Sequence, residues 1–337
     1  MQKTNRLLLA SLALLSTSAA FAQSSVTLYG RVNTSIEHSK VGSLSQSGVN
    51  NNASRFGFKG VEDLGGGLKA GFQLESGFDS STGRSDATFF GRQSELNLSG
   101  NFGMVRLGNF IPESYYAVAD YGVQDQPNHD TGNFANQLYT SVSFGNQANK
   151  VGYRTPEIGG FWAEGTVSMH EKANRTNPLG LNVGTKNAYD LAANWESGAL
   201  ALGAGYAKLG DNWDAGLRAH YTVGAVQVGA YYQRNDYQIV GTRNSVGIAG
   251  QYAFGASELV ANYIWASKWN NVADSGAQQL ILGYNYNLSK RTKVYAAYTY
   301  VKNKAGANYA YNFVNNTGTL ANGADPRTFG VGVRHNF

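Results

Sequence analysis

The chain of 337 residues contains no cysteine, so disulfide cross-links and thiol chemistry are excluded. Proline is scarce, with five residues, whereas glycine and tyrosine are abundant, with 42 and 21. This balance is typical of a chain with many strands and tight turns. Beyond the N-terminal segment there is no apolar run of the roughly 20 residues that a membrane-spanning helix requires. The formal net charge of +5 is too small to predict binding to nucleic acid.

Residues 1–22 have the three parts of a secretory signal peptide. Lys3 and Arg6 precede a short apolar run, and small residues lead to an Ala-Phe-Ala sequence that ends at Ala22. The apolar run is too short to span a bilayer, and the alternative is a buried N-terminal helix. We expect cleavage after Ala22 and a single exported domain over residues 23–337. Cleavage would take the basic count from 27 to 25 against 22 acidic residues, leaving a net charge of about +3.

The exported domain alternates apolar and polar residues with period two, which predicts strands whose two faces meet different surroundings. Sixteen strands are predicted, near residues 25–38, 53–62, 68–78, 88–98, 103–109, 148–156, 161–170, 187–196, 199–208, 214–222, 225–236, 244–253, 257–268, 277–287, 292–302 and 327–337. Most of them have at least the roughly 9 to 11 residues that a tilted strand needs to cross a membrane. An even number of strands places both ends of such a barrel on the periplasmic side.

The connections between the predicted strands alternate in length. The short ones include residues 63–67, 100–102, 197–198, 224, 255–256 and 287–290. The longer, polar ones include residues 39–52, 79–87, 110–147, 171–186 and 303–326. Short turns at one end and long loops at the other are typical of an outer-membrane barrel. A soluble β-sandwich has no reason to sort its loops in this way.

The distribution of side chains also indicates a closed barrel. Aromatic residues cluster toward the strand ends, where a membrane interface favours them. The opposite faces are too polar and too rich in glycine to pack a dry core. Residues 329–337 form a two-faced strand that ends on Phe337, and pairing with the first strand would close the sheet. The sequence therefore predicts an all-β fold, a 16-stranded antiparallel transmembrane β-barrel around a water-filled channel.

The longest connection, residues 110–147, follows the fifth predicted strand and contains Pro112 and Pro127. Its carboxylates are Glu113, Asp120, Asp125 and Asp130. It contains no Lys or Arg. A loop of this length in a compact fold is usually either functional or disordered. We expect this third loop to fold into the barrel and to narrow the channel.

Basic residues of neighbouring strands are predicted to line the channel. The alternation around Phe56 turns Arg55 and Lys59 inward. The same argument places three further basic residues inward, namely Arg106, Lys150 and Arg154. Arg92 reaches the channel only if it lies at a bulge or at a strand end. A basic wall opposite an acidic loop would create a transverse electric field, and fixed charge there biases the passage of ions.

Six parts of the exported domain form a recognisable set: residues 54–78, 26–31, 91–93, 105–108 and 153–156, and the terminal Phe337. Together they resemble the general, non-specific porins of Gram-negative bacteria, especially the β-proteobacterial branch that includes the neisserial porins. The resemblance covers the whole exported domain, and the first stretch is the most specific. It implies passive diffusion of ions and small hydrophilic solutes through a homotrimer of 16-stranded barrels, each narrowed by its third loop.

The resemblance also has implications for individual residues. It implies that Arg55, Arg92 and Arg154 correspond to the constriction arginines of anion-preferring members, so a modest anion preference is expected. It implies that the outer-membrane assembly machinery recognises Phe337, and that the barrel contacts outer-membrane lipid and lipopolysaccharide. The third loop has Pro112-Glu-Ser-Tyr-Tyr116 where enteric porins commonly have Pro-Glu-Phe-Gly-Gly, so the details of that loop are not carried over.

A barrel enzyme of the outer membrane is the first alternative. It would need a nucleophile, a base and an orienting group held together. No histidine lies in a recognisable Ser-His or Asp-His setting; the five are His38, His129, His170, His220 and His335. No cluster of His, Asp and Glu has the spacing of metal ligands, so neither a metal nor another cofactor is expected.

A channel specific for a sugar or an organic anion is the second alternative. A sugar channel would show a track of aromatic residues along its interior. The inward residues Tyr29, Trp162 and Tyr231 are too scattered to form one. The sequence leaves an adhesive or structural role open.

Overall fold

The computed structural model describes residues 25–119, 134–142, 148–176, 178–180, 182–310 and 320–337. The predicted signal peptide lies outside these ranges, as do three of the predicted loop carboxylates, Asp120, Asp125 and Asp130. Within the described ranges the chain forms nineteen strands and one helix of seven residues. No helix in this part of the chain has the length and hydropathy needed to cross a membrane.

The first ten strands are β1 (Ser25–Val41), β2 (Leu44–Asn51), β3 (Arg55–Gly65), β4 (Leu68–Gly77), β5 (Gln93–Gly100), β6 (Gly103–Asn109), β7 (Lys150–Arg154), β8 (Phe161–Ser168), β9 (Arg175–Thr176) and β10 (Asn182–Gly184). The others are β11 (Ala188–Ser197), β12 (Leu200–Leu209), β13 (Asn212–Val223), β14 (Val226–Tyr237), β15 (Gly241–Phe254), β16 (Ser257–Ala266), β17 (Ala277–Asn287), β18 (Thr292–Asn303) and β19 (Arg327–Asn336). The helix, α1 (Glu113–Ala119), lies between β6 and β7.

Seventeen of these strands form one antiparallel sheet that closes on itself. β1 pairs with β19 along one edge and with β2 and β3 along the other, while β8 pairs with β11. β2 and β3 are successive halves of one wall segment, so the seventeen strands make sixteen segments. β9 and β10 form a separate small hairpin in the connection from β8 to β11. The predicted 16-stranded antiparallel barrel is confirmed.

A β-bulge separates β2 from β3. In the register with β1, Asn51 pairs with Thr34. Four residues later, Arg55 pairs with Arg31, which is only three residues from Thr34. The extra residue is accommodated around Ala53, whose φ of 56° is left-handed. The wall segment made of β2 and β3 thus contains one residue more than the part of β1 that it pairs with.

The bulge reverses which alternate residues face the lipid. Val49 of β2 and Phe58 of β3 lie an odd number of positions apart, yet both face outward, with exposures of 54% and 37%. Without the extra residue, the outward alternation of β2 would continue through Arg55. The inserted residue therefore turns Arg55 toward the interior, where the sequence pattern around Phe56 predicts it.

The predicted long connection at residues 39–52 is wrong. β1 continues to Val41 and returns directly as β2 through a turn at Gly42, whose φ is 55°. Residues 39–52 are polar or glycine apart from Val41, Leu44 and Val49, so they lack the apolar alternation that marks a strand in contact with lipid. Backbone pairing with β1 nevertheless keeps this segment in the wall.

The predicted strand at residues 88–98 begins only at Gln93. The residues before it belong to a loop, and Phe89 of this loop packs against Phe56 of β3, with ring centroids 6.1 Å apart. The predicted loop at residues 171–186 contains the hairpin of β9 and β10. The remaining strand ends lie within three residues of their predicted positions.

The outer face of the barrel is apolar. Large side chains such as Ile36, Leu217 and Ile248 are more than half exposed. Exposed aromatic rings occur near the short turns, at Phe102, Tyr221, Phe254 and Tyr286, and near the long loops, at Tyr189, Trp265 and Phe329. Two such girdles mark the two interfaces of a membrane, with the long loops on the extracellular side.

The third long connection folds into the barrel. Its helix α1 lies against three inward glycines of β12 and β13, namely Gly203, Gly205 and Gly216. A Cβ atom added at these positions would collide with the backbone of α1 or with Val118. Farther along the chain, Phe134 packs with Tyr295 and Ala297 of β18. For the described residues, the predicted inward course of this loop is confirmed.

One sector of the inner wall packs a dry cluster, contrary to the expectation of a wholly polar interior. Val118 and Leu138 of the third connection form a buried cluster with Tyr231, Ile264 and Ile281 of the wall. The wall alone offers too little apolar surface for a core, and the inward loop supplies the rest.

The two ends of the described chain meet at the seam of the barrel. The Gly30 N–H donates to the Phe337 carbonyl at 2.9 Å, and the Phe337 N–H donates to the Gly30 carbonyl at 3.0 Å. The Phe337 ring lies over Gly30, where any side chain would collide with it. Phe337 therefore completes the seam, while its recognition by the assembly machinery stays a prediction.

Deleting Phe337 should lower the yield of barrel in the outer membrane and the thermal midpoint of the fraction that assembles. The deletion removes two hydrogen bonds, each worth about 1 kcal/mol, together with the ring over Gly30. Phe337→Ala keeps the backbone bonds and should give an intermediate result. Phe329→Ala, on the same strand, serves as the control, and equal losses in all three variants would contradict a special role of the terminal residue.

Candidate channel constriction

Charged side chains converge on the inner face of β3 to β8, beside the start of α1. Each strand places one charged residue or one pair there, because alternate residues face inward. The ion pairs of this cluster contain all four of the predicted arginines, together with Glu113 and with carboxylates from β4, β5 and β8. Because of these carboxylates, the inner face of β3 to β8 carries charges of both signs.

Glu75 of β4 is the centre of the first group. Its Oε1 lies 2.6 Å from Arg92 Nε and 3.8 Å from Arg55 Nε. The Tyr29 hydroxyl donates to Glu75 Oε2 at 3.0 Å, and the Gln73 amide donates to that hydroxyl at 2.6 Å. Arg92 precedes the first residue of β5, so it reaches the interior from a strand end, as the sequence requires.

Arg106 of β6 is the centre of the second group. Its guanidinium donates to both oxygens of Glu95, at 3.0 and 2.8 Å, and to Glu164 at 2.8 Å. Glu164 lies on β8, so Arg106 reaches across β7 at Gly152, its partner in the register. The Phe110 ring covers the guanidinium, with its centroid 4.0 Å away. A bidentate pair of this kind fixes the geometry of the side chain as well as its charge.

Arg154 and Glu113 join the wall to the inward loop. Arg154 Nη1 lies 3.1 Å from Glu113 Oε1, and the Trp162 ring lies 5.1 Å from the guanidinium. The backbone N–H of Glu113 donates to Glu164 Oε1 at 2.9 Å. Burial raises the pKa of Glu113, although the Arg154 guanidinium opposes this shift.

The two predicted lysines differ in their access to water. Lys59 is exposed on the inner face, with its ammonium 5.4 Å from the centre of the Tyr29 ring. Lys150 also faces inward, but it is only 2% exposed. Its ammonium donates to the Phe110 carbonyl at 3.0 Å and lies under the third connection. Lys150 therefore supports the loop and does not line the open channel.

In each of these ion pairs the guanidinium is more exposed than its carboxylate. The exposed fractions are 26% and 6% for Arg92 and Glu75, 18% and 6% for Arg55 and Glu75, and 32% and 16% for Arg154 and Glu113. They are 12% for Arg106 against 5% and 1% for its two partners. A solute in the channel therefore meets the positive end of each pair first.

Sequence reasoning missed the wall carboxylates Glu75, Glu95 and Glu164. The alternation within each strand could have found them, since Glu75 shares the inward face of Gln73 and Glu164 shares that of Thr166. The picture of a purely basic wall opposite an acidic loop therefore needs correction. Of the predicted loop carboxylates, Glu113 joins the cluster, and the other three lie outside the described residues.

Buried polar groups of the wall hold the inward loop in place. Ser114 donates to Asp190 at 2.8 Å near the start of α1. Later in the connection, the Gln137 N–H donates to Gln279 at 2.8 Å, and the Val142 N–H donates to Asp214 at 2.7 Å. Each bond satisfies a buried polar group that would otherwise be costly.

Arg243 of β15 is a further anchor for the loop. Its side chain is 1% exposed and donates to the Leu138 carbonyl at 2.7 Å and to the Thr140 hydroxyl at 2.8 Å. The guanidinium also donates to the Tyr309 hydroxyl at 2.9 Å and lies 4.6 Å from the centre of the Trp269 ring. Arg243 thus links three long connections to the wall at one point.

The three aromatic residues that could have formed a sugar track each have different neighbours. Tyr231 is 2% exposed and lies beneath Leu138 in the dry cluster. Trp162 is covered by the Arg154 guanidinium, and Tyr29 lies beside Glu75.

A closed barrel with an apolar outer band, a charged interior and a loop folded inward defines a membrane channel narrowed from within. The sequence profile of the Gram-negative porin family matches residues 9–306 of the chain. The chain therefore belongs to the Gram-negative porin family, and it is a channel protein of the outer membrane.

Individual relatives agree with this assignment. Outer membrane porin protein 32 of Delftia acidovorans is 31% identical over 98% of this chain and 99% of its own length. Major outer membrane protein P.IB of Neisseria meningitidis serogroup A / serotype 4A is 25% identical over 94% and 95%. Among solved structures, the anion-selective porin from Comamonas acidovorans has a TM-score of 0.78 and 28% identity, covering 94% of this chain and 100% of that chain.

Lowering the pH from neutral should shift ion preference toward anions. Because the pKa of Glu113 is raised, its carboxylate takes up a proton at a higher pH than an ordinary Glu does. The neutral acid no longer balances the Arg154 guanidinium, so the potential in the channel becomes more positive. A roughly twofold change in permeability ratio is the size expected for one charge acting through water. Reversal potentials in a salt gradient measure it.

Glu113→Gln should lose most of this pH-dependent shift, since its side chain cannot titrate. Glu157→Gln, at an exposed turn, should retain the shift and serves as the control. An equal shift in both variants would assign the titration to another group.

Proposed function

We propose that this porin provides a water-filled path for passive diffusion of ions and small hydrophilic solutes, with a modest preference for anions. The observation that carries the anion preference is the orientation of the ion pairs, whose guanidinium ends are the more exposed ones. Diffusion of this kind requires neither a cofactor nor a catalytic residue.

A solute in the channel approaches each ion pair from the side of its arginine. Glu75, Glu95 and Glu164 lie behind the arginines, where their side chains are at most 6% exposed. A charge nearer to the channel acts on a passing ion more strongly than one farther away. Low-dielectric walls focus this field along the channel. The exposed ammonium of Lys59 adds to the positive potential.

A relative supports the same sign of preference. The solved structure at 28% identity is described as an anion-selective porin. The bias in this chain is expected to be modest, because wall carboxylates accompany the arginines. The loop residues Asp120, Asp125 and Asp130 would reduce it further if they face the channel, as the sequence predicts.

Glu75→Gln should increase the preference for anions, since it removes a negative charge beside Arg55 and Arg92 while leaving side-chain volume nearly unchanged. Replacing Arg55 and Arg154 by Ser should weaken the preference. We expect shifts of roughly twofold in permeability ratio for each charge, from reversal potentials in planar bilayers.

Glu196→Gln is the matched control, because this residue lies exposed at the short-turn end, away from the cluster. It should leave the reversal potential unchanged. A clear cation preference in the native protein, or a shift toward cations in Glu75→Gln, would overturn the proposed selectivity without affecting the assignment as a channel.

We further propose that the protein is a homotrimer whose contact includes a cluster of outward phenylalanines. Phe56 lies within 6.1–6.4 Å, centre to centre, of Phe58, Phe78 and Phe89. Phe90 lies 4.7 Å from Phe89, and both belong to the connection after β4. Contiguous exposed aromatic surface that continues from a strand onto a loop is typical of a subunit contact.

Light scattering of the detergent-solubilised protein should give the mass of three protomers. Phe58→Ser with Phe89→Ser should lower the temperature at which the trimer dissociates, since two rings leave the contact. Tyr252→Ser with Phe254→Ser removes an exposed stacked pair on β15 and serves as the control. A monomeric native protein, or equal effects in both double variants, would contradict this contact.

To act as a channel in the outer membrane, the chain must also be exported and assembled there. We propose that residues 1–22 are removed during secretion and that the assembly machinery recognises the C-terminal strand through Phe337. The N-terminal charge pattern supports the first point, and the place of Phe337 at the seam supports the second.

A further inference from the structure

Helix α1 packs directly on the inner face of β12 and β13, at positions where the wall has no side chains. These positions are Gly203 and Gly205 of β12 and Gly216 of β13, here called the glycine seat. Gly205 and Gly216 are partners in the register, and Gly203 is the next inward residue of its strand. The backbone of two neighbouring strands is thus bare where the helix meets it.

The face of α1 that lies on the glycine seat contains Ser114, Ala117 and Val118. These residues are three and four positions apart, so they share one side of the helix. All three are at most 6% exposed. A Cβ atom at Gly203 would overlap the backbone of Ala117, and one at Gly216 would overlap a methyl group of Val118. The helix is therefore in close contact with the backbone of the wall.

At this contact the wall is held more firmly than the helix. β12 is hydrogen-bonded to β11 and β13, and β13 is hydrogen-bonded to β12 and β14, over most of their lengths. Side chains hold α1 at its first turn, where Ser114 donates to Asp190 and the Glu113 N–H donates to Glu164. A side chain added to the glycine seat would therefore displace the helix. Because the wall lies behind the helix, that displacement is toward the channel.

We propose that the glycine seat sets the width of the channel beside α1, and with it the largest solute that can pass. A Cβ atom at Gly205 would lie 2.6 Å from the Ser114 carbonyl oxygen and 2.9 Å from a methyl group of Val118. Ordinary contacts need about 3.5 Å, so one added methyl group would move α1 inward by about 1 Å.

The seat glycines are positioning residues, since α1 covers them and a solute in the channel does not touch them. The inference rests on the proposed diffusion function, and it concerns the size of the solute and not its charge.

Gly216→Ala tests the inference, and Gly250→Ala on β15 is the control. A Cβ atom at Gly250 meets no atom closer than 3.9 Å. In planar bilayers, Gly216→Ala should lower single-channel conductance by about a third, since ion flow follows the open cross-section of the narrowest part. In liposomes, it should slow the entry of a trisaccharide roughly twofold more than that of a pentose, because the larger solute fits less easily. Gly250→Ala should match the native protein in both measurements.

Val118→Ala distinguishes displacement of the helix from damage to the wall. The Cβ atom added in Gly216→Ala meets two methyl groups of Val118, whereas its contact with the Tyr232 carbonyl oxygen, at 3.0 Å, belongs to the wall. Gly216→Ala/Val118→Ala should therefore recover most of the native conductance. The same change should not rescue Gly203→Ala, whose added atom meets the backbone of Ala117. Val118→Ala alone should not lower the conductance.

Val118→Ile enlarges the helix side of the same contact and leaves the wall unchanged. It should also lower the conductance, and it tests the inference if Gly216→Ala fails to assemble. Native conductance in Gly216→Ala or in Val118→Ile would overturn the inference, as would equal rescue of both glycine variants by Val118→Ala. A native protein that forms no channels would instead contradict the proposed diffusion function.

Discussion

Closure of the hydrogen-bonded sheet is the constraint on which the rest of this structure depends. The hydrocarbon of a membrane offers no partner to a backbone N–H or C=O, so an open sheet edge is excluded there. β1 meets this requirement by pairing with β19 on one side and with β2 and β3 on the other. Once the wall is closed, alternation divides its side chains into a set in contact with lipid and a set in contact with the interior.

The interior is organised by the third connection and not by the wall alone. Small residues such as Gly203 and Gly205 let α1 approach the wall closely. Asp190 binds the third connection at α1, and Asp214 and Arg243 bind it farther along the chain. These attachments lie on β11, β13 and β15, and β11 pairs directly with β8 of the ion-pair cluster. The third connection therefore narrows the channel from the side of the wall to which these residues attach it.

The parts of the fold that the sequence predicts best are those in contact with lipid. Around Phe56 and Phe58 one face must be apolar, so the inward position of Arg55 follows from alternation alone. The hairpin of β1 and β2 was missed because its polar faces carry no such pattern. Long-range partners were also missed: the pairing of Arg106 with Glu164 depends on a reach across Gly152, which no local pattern encodes.

The dry cluster around Leu138 was missed for a related reason. Its wall residues, Ile264 and Ile281, belong to the inward set, where a water-filled interior would favour polar residues. Only the contact with a segment more than a hundred residues earlier in the chain explains why they are apolar. A sequence pattern read strand by strand cannot supply that information.

The bulge at Ala53 gives the extracellular hairpin and the membrane-embedded strand separate phases of alternation. Deletion of one residue there would reverse the alternation in either β2 or β3. Arg55 would then face the bilayer, or Val49 would face the interior. Substitutions in the hairpin of β1 and β2, by contrast, do not change which residues of β3 face the lipid. The sequence of the hairpin can therefore vary without moving Arg55 out of the interior.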